Sequence, residues 1–182
     1  MKTLQKLLVD MIPVILGVLI ALFINDWKDG VDDERFVKRV LASIKKEMKA
    51  NKQEFEEVLE KQYALADTLE FYSADDSIPL IEVVNKANGV QIPTVKNTSW
   101  RSVLNSKLEL IDFEVISQMT EIENAKQYLR IKTEKLIDYG SDNAISTDAE
   151  TKKVFLLLLE NLINSEEGLL EGYETYLKKG ID

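Results

Sequence analysis

The sequence has no histidine and no cysteine among its 182 residues. Without histidine the commonest general acid/base is gone. Without cysteine there is no thiol nucleophile, no disulfide, and no zinc or copper site built on nitrogen and sulfur. Most enzyme templates fail on these two absences, although paired carboxylates can still do acid/base work. The missing cysteines leave the redox compartment open, because an oxidising space permits disulfides without requiring them. Positive charge is also short. The formal net charge is −9, and since residues 1–25 carry Lys2, Lys6 and Asp10, or +1, the remainder carries −10. Such a surface repels a phosphate backbone, and no arginine-rich stripe interleaved with aromatics offsets the repulsion, so nucleic acid is not the expected partner. The excess of acids suits an exposed helical surface that must stay soluble.

What the chain does have is a long apolar run. Leu7 to Ile24 is an 18-residue stretch whose only charge is Asp10, and as a helix it would span about 27 Å, close to the hydrocarbon thickness of a bilayer. The run is apolar on every face, which a helix buried in one small domain seldom is. Its end, Ala21-Leu22-Phe23-Ile24, lacks the small-x-small pattern of a signal-peptidase site, so an uncleaved transmembrane helix over residues 7–27 is expected after a short tail, 1–6. Asn25 and Trp27 then fall where an amide and an indole suit the interfacial layer. Basic residues flank the run on both sides: Lys2 and Lys6 before it, Lys28, Arg35, Lys38 and Arg39 after it. Counted literally they place the bulk of the chain in the cytoplasm, whereas Asp26, Asp29, Asp32, Asp33 and Glu34 lean toward export.

The string Asp10, Val14, Ile15, Gly17, Leu19, Ile20, Ala21, Leu22, Ile24, Asn25, Trp27 resembles an uncharacterised family of bacterial single-pass membrane proteins, whose N-terminal signature runs acid, apolar run, G-I-L-I-A-L-x-I-N-N-W. Phe23 stands where that family often has glutamine, Pro13 interrupts its aliphatic run, and Asp10 replaces a glutamate. Ser99, Trp100, Leu104, Ser106, Leu108, Leu110 and Ile111 resemble a second stretch of the family, without the glycine expected near Lys107. The resemblance implies a short cytoplasmic N-terminus, location in the cytoplasmic (inner) membrane, and an extracytoplasmic helical domain. It implies no biochemical activity.

Beyond Gly30 the pattern becomes periodic. Val37, Leu41, Ile44, Met48, Asn51, Phe55, Val58, Gln62, Leu65, Leu69 and Tyr72 step by fours and threes, the spacing of one stripe facing a partner helix, and predict a long stalk helix over about 31–72. Asn51 and Gln62 are its polar members: in a coiled coil they would fix register, and in an ordinary bundle, the reading preferred here, they reach the edge. Ser77, Pro79 and Gly89 mark a short helix (about 78–88) with a cap, a first-turn proline and a terminating glycine. Residues 90–97 read as a loop, with a short strand conceivable in VQIPTV. Thr98 or Ser99 can cap a helix over about 99–106. Asp112 can cap one over about 113–139 that carries Val115, Met119, Ile122, Leu129 and Leu136 and closes near Gly140. Thr147 or Asp148 starts the last, about 148–179, faced by Phe155, Leu158, Leu162, Leu169, Tyr173 and Tyr176, with a kink or frayed end expected at Gly168 and Gly172. The fold class is therefore all-α: one transmembrane helix continuing into an elongated antiparallel bundle formed by residues 28–182.

The candidate sites are few. Asp10 lies inside the predicted span, where an ionised carboxylate is costly unless it is paired, protonated or near the interface. VDMIPVILGVLIALFI is similar to the membrane helix of proton-driven motor subunits of the ExbD type, which implies a proton carrier at Asp10. The plainer reading is an acid at headgroup level on a tilted helix. Gly17 and Ala21 form a small-xxx-small pair that lets two membrane helices approach. Asp32, Asp33 and Glu34, and Asp75 and Asp76, lack the spacing of a calcium loop and read as solvated helix ends. Asn97-Thr98-Ser99 matches a glycosylation acceptor, which has no meaning in a bacterial host. Trp100 and Arg101 are candidates for a partner surface, with core packing the rival role for Trp100. No pattern calls for a cofactor or metal. The expectation is a non-enzymatic membrane protein that binds a protein partner in or near the membrane, or a second copy of itself through the span. The alternative is a proton-coupled motor subunit using Asp10.

Overall fold

The computed structural model describes the backbone of residues 2–179 and the side chains of residues 11–178. Among the described residues there are five α-helices, one 3₁₀ turn and no strand. The first helix, α1, runs from Lys2 to Phe71 without interruption, 70 residues or about 105 Å. Residues 28–30, between the apolar run and the expected stalk helix, are helical as well. Gly30 disfavours helix by only about 1 kcal/mol relative to alanine, and local pairs hold the polar stretch around it together. Asn25 donates to Asp29 (3.0 Å), Arg35 pairs with Asp32 (3.5 Å) and Lys38 with Glu34 (2.9 Å), the i,i+3 and i,i+4 contacts that support an exposed helix.

After α1 come α2 (Leu80–Lys86), α3 (Thr98–Leu104), the 3₁₀ turn Leu108–Leu110, α4 (Phe113–Asp142) and α5 (Ala149–Lys179). Helix α5 packs along both α1 and α4, while α2 and α3 lie against α1. The α1 stripe faces this core as its spacing predicts: Ile44, Met48, Phe55, Val58, Leu65 and Leu69 are buried, and Val37, Leu41 and Tyr72 are half-buried at its ends. On α5 the buried apolar positions are Phe155, Leu159, Leu162, Ile163, Leu169, Tyr173 and Tyr176, so Leu159 takes the place expected for Leu158, which is half-buried. Trp100 is only 2 % exposed. With Val95 it lines a small cavity that Ile44 and Met48 of α1 and Met119 and Ile122 of α4 also line.

Polar contacts set the α1–α5 register. Lys152, fully buried, donates to the carbonyls of Tyr72 (3.3 Å) and Asp75; Gln62 donates to Glu166 (3.0 Å); Asn51 donates to the Tyr173 hydroxyl (3.5 Å). From Tyr72 back to Asn51 and from Lys152 forward to Tyr173 the interval is 21 residues on each helix, so the two run antiparallel in step. Asn51 and Gln62 do not reach the bundle edge. They are 2 % and 0 % exposed because residues 90–97, which form neither helix nor strand, lie over them. Asn51 donates to the Lys96 carbonyl (2.7 Å) and accepts from the Lys96 amide (2.8 Å), and Gln62 donates to the Gln91 carbonyl (2.8 Å). Residues 90–97 thus bond to side chains of a helix and not to a strand partner.

Several helix ends are capped from elsewhere in the fold. The α2 amides of Leu80 and Ile81 donate to the carbonyls of Ser146 and Ala144, 2.9 Å each. Ser77 turns to Asp75 instead, and Pro79 sits at the cap rather than in the first turn. Gly89 ends α2 as expected: at φ +83° its amide reaches back to the Val84 carbonyl (2.9 Å), the left-handed stop that glycine adopts without strain. At α3 neither Thr98 nor Ser99 caps; the Ser99 amide donates to Glu47 on α1 (3.1 and 3.2 Å). Asp112 and Asp148 do cap α4 and α5, accepting from the amides of Glu114 (2.7 Å) and Thr151 (2.9 Å). Gly140 does not close α4, which continues to Asp142. A Cβ there would stand 2.7 Å from the Phe155 ring, so the glycine is where α4 and α5 touch. Helix α5 passes through Gly168 and Gly172 unbroken.

Candidate functional site

The most unusual surface is the start of α1. Met11, Ile12, Val14–Leu16, Val18–Ile20 and Leu22–Ile24 are each at least 48 % exposed, Phe23 reaches 71 % and Trp27 67 %. Nothing among the described residues covers the apolar window, and the helix is long and apolar enough to cross a membrane. An uncovered run of this extent far exceeds the apolar patches that soluble monomers expose. Gly17 and Ala21 fall one helical turn apart on this surface, and a Cβ at Gly17 would meet nothing within 4 Å, so that face is open to a close neighbour. Asn25 is exposed and ties to Asp29, one turn toward the bundle. The expectation for Asp10 falls on a residue whose side chain lies outside those described.

In the bundle the polar residues serve structure. Glu166 is fully buried, and burial pushes its carboxyl up to about 7 against the opposing effect of the Gln62 hydrogen bond. Glu166 Oε2 and Gln62 Oε1 both lack a hydrogen-bond partner. A protonated carboxyl supplies a donor in this pair, which an ionised one cannot. Burial likewise raises Tyr173 and Tyr176. At the end of the bundle nearer the apolar run Lys107 pairs with Asp33 and stands 5.5 Å above the Phe36 ring, and the Asp33 hydrogen bond raises the Lys107 ammonium. Of the acids singled out as clusters, Asp32 and Glu34 pair along α1, and Asp75 accepts from the Ser77 hydroxyl and amide, which lower its pKa.

An open groove of about 380 Å³ runs between α4 and α5, where Gly168 and Gly172 present no side chain; Glu121 and Glu171 stand on its rim, both exposed. Exposed rim carboxylates are solvated, the opposite of the enclosed, desolvated acids that general acid/base catalysis uses. Of the two residues expected on a partner surface, Trp100 has the core-packing role and Arg101 alone is exposed.

No family model, curated protein or solved structure matches this chain. The surface and the bundle are therefore read from their own chemistry. Three residues went unread in the sequence: Lys152, Glu166 and Glu47. For the first two a signal was present. Phe155, Leu159, Leu162, Leu169, Tyr173 and Tyr176 step by threes and fours, and the same stepping passes through 152 and 166. Glu47 capping α3 across 52 residues of sequence left no such signal.

Proposed function

We propose that this protein is a single-pass membrane protein, non-enzymatic, whose helical bundle binds a partner protein or organises an assembly at the membrane surface. The observation that carries this is the continuity of α1: one unbroken helix is wholly uncovered and apolar over residues 11–24 and forms the bundle's core from Ile44 onward. A bilayer is the medium that covers such a segment on all faces at once. Gly17 and Ala21 offer a second helix a close approach within it. The residues resembling the single-pass family, with the acids that follow Trp27, support the cytoplasmic membrane, the N-terminus inside and the bundle outside.

Extraction and protease protection test both parts. The protein should stay with the membrane through an alkaline carbonate wash and leave it in detergent. Protease added to intact spheroplasts should digest the bundle. Release by carbonate would refute the span, and a bundle protected until the membrane is opened would reverse the orientation.

A further inference from the structure

We propose that the outward face of α1 docks an acidic helix of a second, different membrane-anchored chain, which packs on Gly17 and Ala21 within the span and on a ridge of lysine and arginine beyond it. This rests on the membrane-spanning reading of α1 and gives its partner a chemistry.

The ridge follows from the continuity of α1. Because residues 2–71 form one helix, positions far apart in sequence share a face when their spacing fits a turn of about 100° per residue. Relative to Gly17, Ala21 lies within about 40° round the helix, and so do Lys28, Arg35, Arg39, Ala42, Lys46 and Lys49. All of these are exposed, while the buried Ile44 and Met48 fall on the opposite side. From Arg35 to Lys49 the steps alternate between four and three, the spacing with which one helix follows another.

No acid between Lys28 and Lys49 shares that face. Asp29, Asp32, Asp33, Glu34 and Glu47 sit about 60° or more away from Gly17, and two of them turn to the bundle, Asp33 to Lys107 and Glu47 to the Ser99 amide. Arg35 reaches sideways to Asp32 (3.5 Å), whereas Lys28, Lys46 and Lys49 have no ion pair among the described residues. A chain of net charge −9 thus keeps a basic ridge about 31 Å long, along which like charges four apart repel. Carboxylates on an adjoining helix relieve that repulsion and select the partner.

Height decides the occupant. Arg39 lies about 18 Å and Lys49 about 33 Å past Trp27 along the helix, beyond the roughly 5–10 Å of the interfacial layer, so anionic lipid reaches only the foot of the ridge at Lys28. A helix rising beside α1 reaches all of it. Ala42 in the middle of the ridge, like Gly17 and Ala21 in the span, presents little side chain and lets such a helix come close. A second copy packed face to face in the same orientation sets lysine against lysine, which opposes self-pairing. The complement is therefore another chain.

Membranes of the native host carrying the full-length protein are washed with carbonate and treated with a water-soluble carbodiimide, which joins a lysine only to a carboxylate in contact with it. Digestion and mass spectrometry then show what each lysine has met. Lys46 and Lys49 should be joined to Asp or Glu residues three or four apart, in a chain with an apolar run of its own. Lys46→Glu with Lys49→Glu should cut co-purification of that chain by about tenfold or more, while Lys135→Glu with Lys153→Glu, at exposed lysines of α4 and α5, should leave it unchanged. Coupling between two copies, identified with isotope-mixed protein, would overturn the proposal, as would Lys46 and Lys49 left uncoupled in protein that the wash leaves in place. In either case a foreign chain coupled at another lysine keeps the partner-binding reading. Release by the wash refutes the span, and the docking face falls with it.

Discussion

At Glu166 the carboxyl has the Gln62 amide beside it and no solvent to share its charge. Its pKa lies at about 7 in the fold against an ordinary 4.5, so the native state binds the proton more tightly than the unfolded chain does. The stabilisation is full below about pH 4.5 and is lost as the pH rises through about 7. Glu166→Gln supplies a permanent donor toward Gln62 and has no proton to lose. Its melting temperature should fall less than that of the parent between about pH 5 and pH 8, with the variant ahead by roughly 3 kcal/mol at the upper end. Equal pH slopes in detergent-solubilised protein would mean that Glu166 ionises without cost. The position was readable in principle, since it continues the α5 stripe; what hid it was that a charged residue is ordinarily assigned to the outside.

Among the elements, the segment 90–97 is held by helix side chains rather than by a ladder. Asn51→Ala removes both hydrogen bonds to Lys96, leaving a backbone N–H and C=O short of partners at a cost of about 1–3 kcal/mol. Amides around Lys96 should then exchange faster while those of Leu159 and Leu162 keep their order of protection. Unchanged exchange would mean that Val95 and Trp100 alone pin the segment. The helices themselves were legible because hydrophobic spacing records which face is covered, and Asp112 and Asp148 were legible as caps because their bonds are local. The true caps of α2 and α3 come from Ser146, Ala144 and Glu47, contacts distant in sequence that no local pattern encodes. The edge position expected for Asn51 and Gln62 failed for the same reason: the cover is an aperiodic loop.

For the whole molecule, the apolar run, the bundle and the continuation of the one into the other were legible; the helical state of residues 28–30 was not, because the polar stretch with Gly30 reads as a break. Helix continuity there is testable. With nitroxides at Phe23→Cys and Lys61→Cys, a straight helix gives a single distance of about 57 Å. Gly30→Pro, which removes a helical N–H and clashes with the preceding turn, should broaden and shorten that distance while leaving the bundle's melting temperature unchanged, since Gly30 is exposed and touches nothing. A distance that stays sharp would show that contacts other than the helix fix the two parts together.

The unbroken α1 also acts as a lever. Phe71 lies 44 residues, about 66 Å, beyond Trp27 along one stiff rod, so tilting the span by about 10° swings that end sideways by about 11 Å. Spans absorb changes in bilayer thickness by tilting. With α1 in a membrane, a small adjustment in the lipid becomes a displacement at the far end as wide as a helix, large enough to bring Phe71 and its neighbours into or out of reach of another molecule.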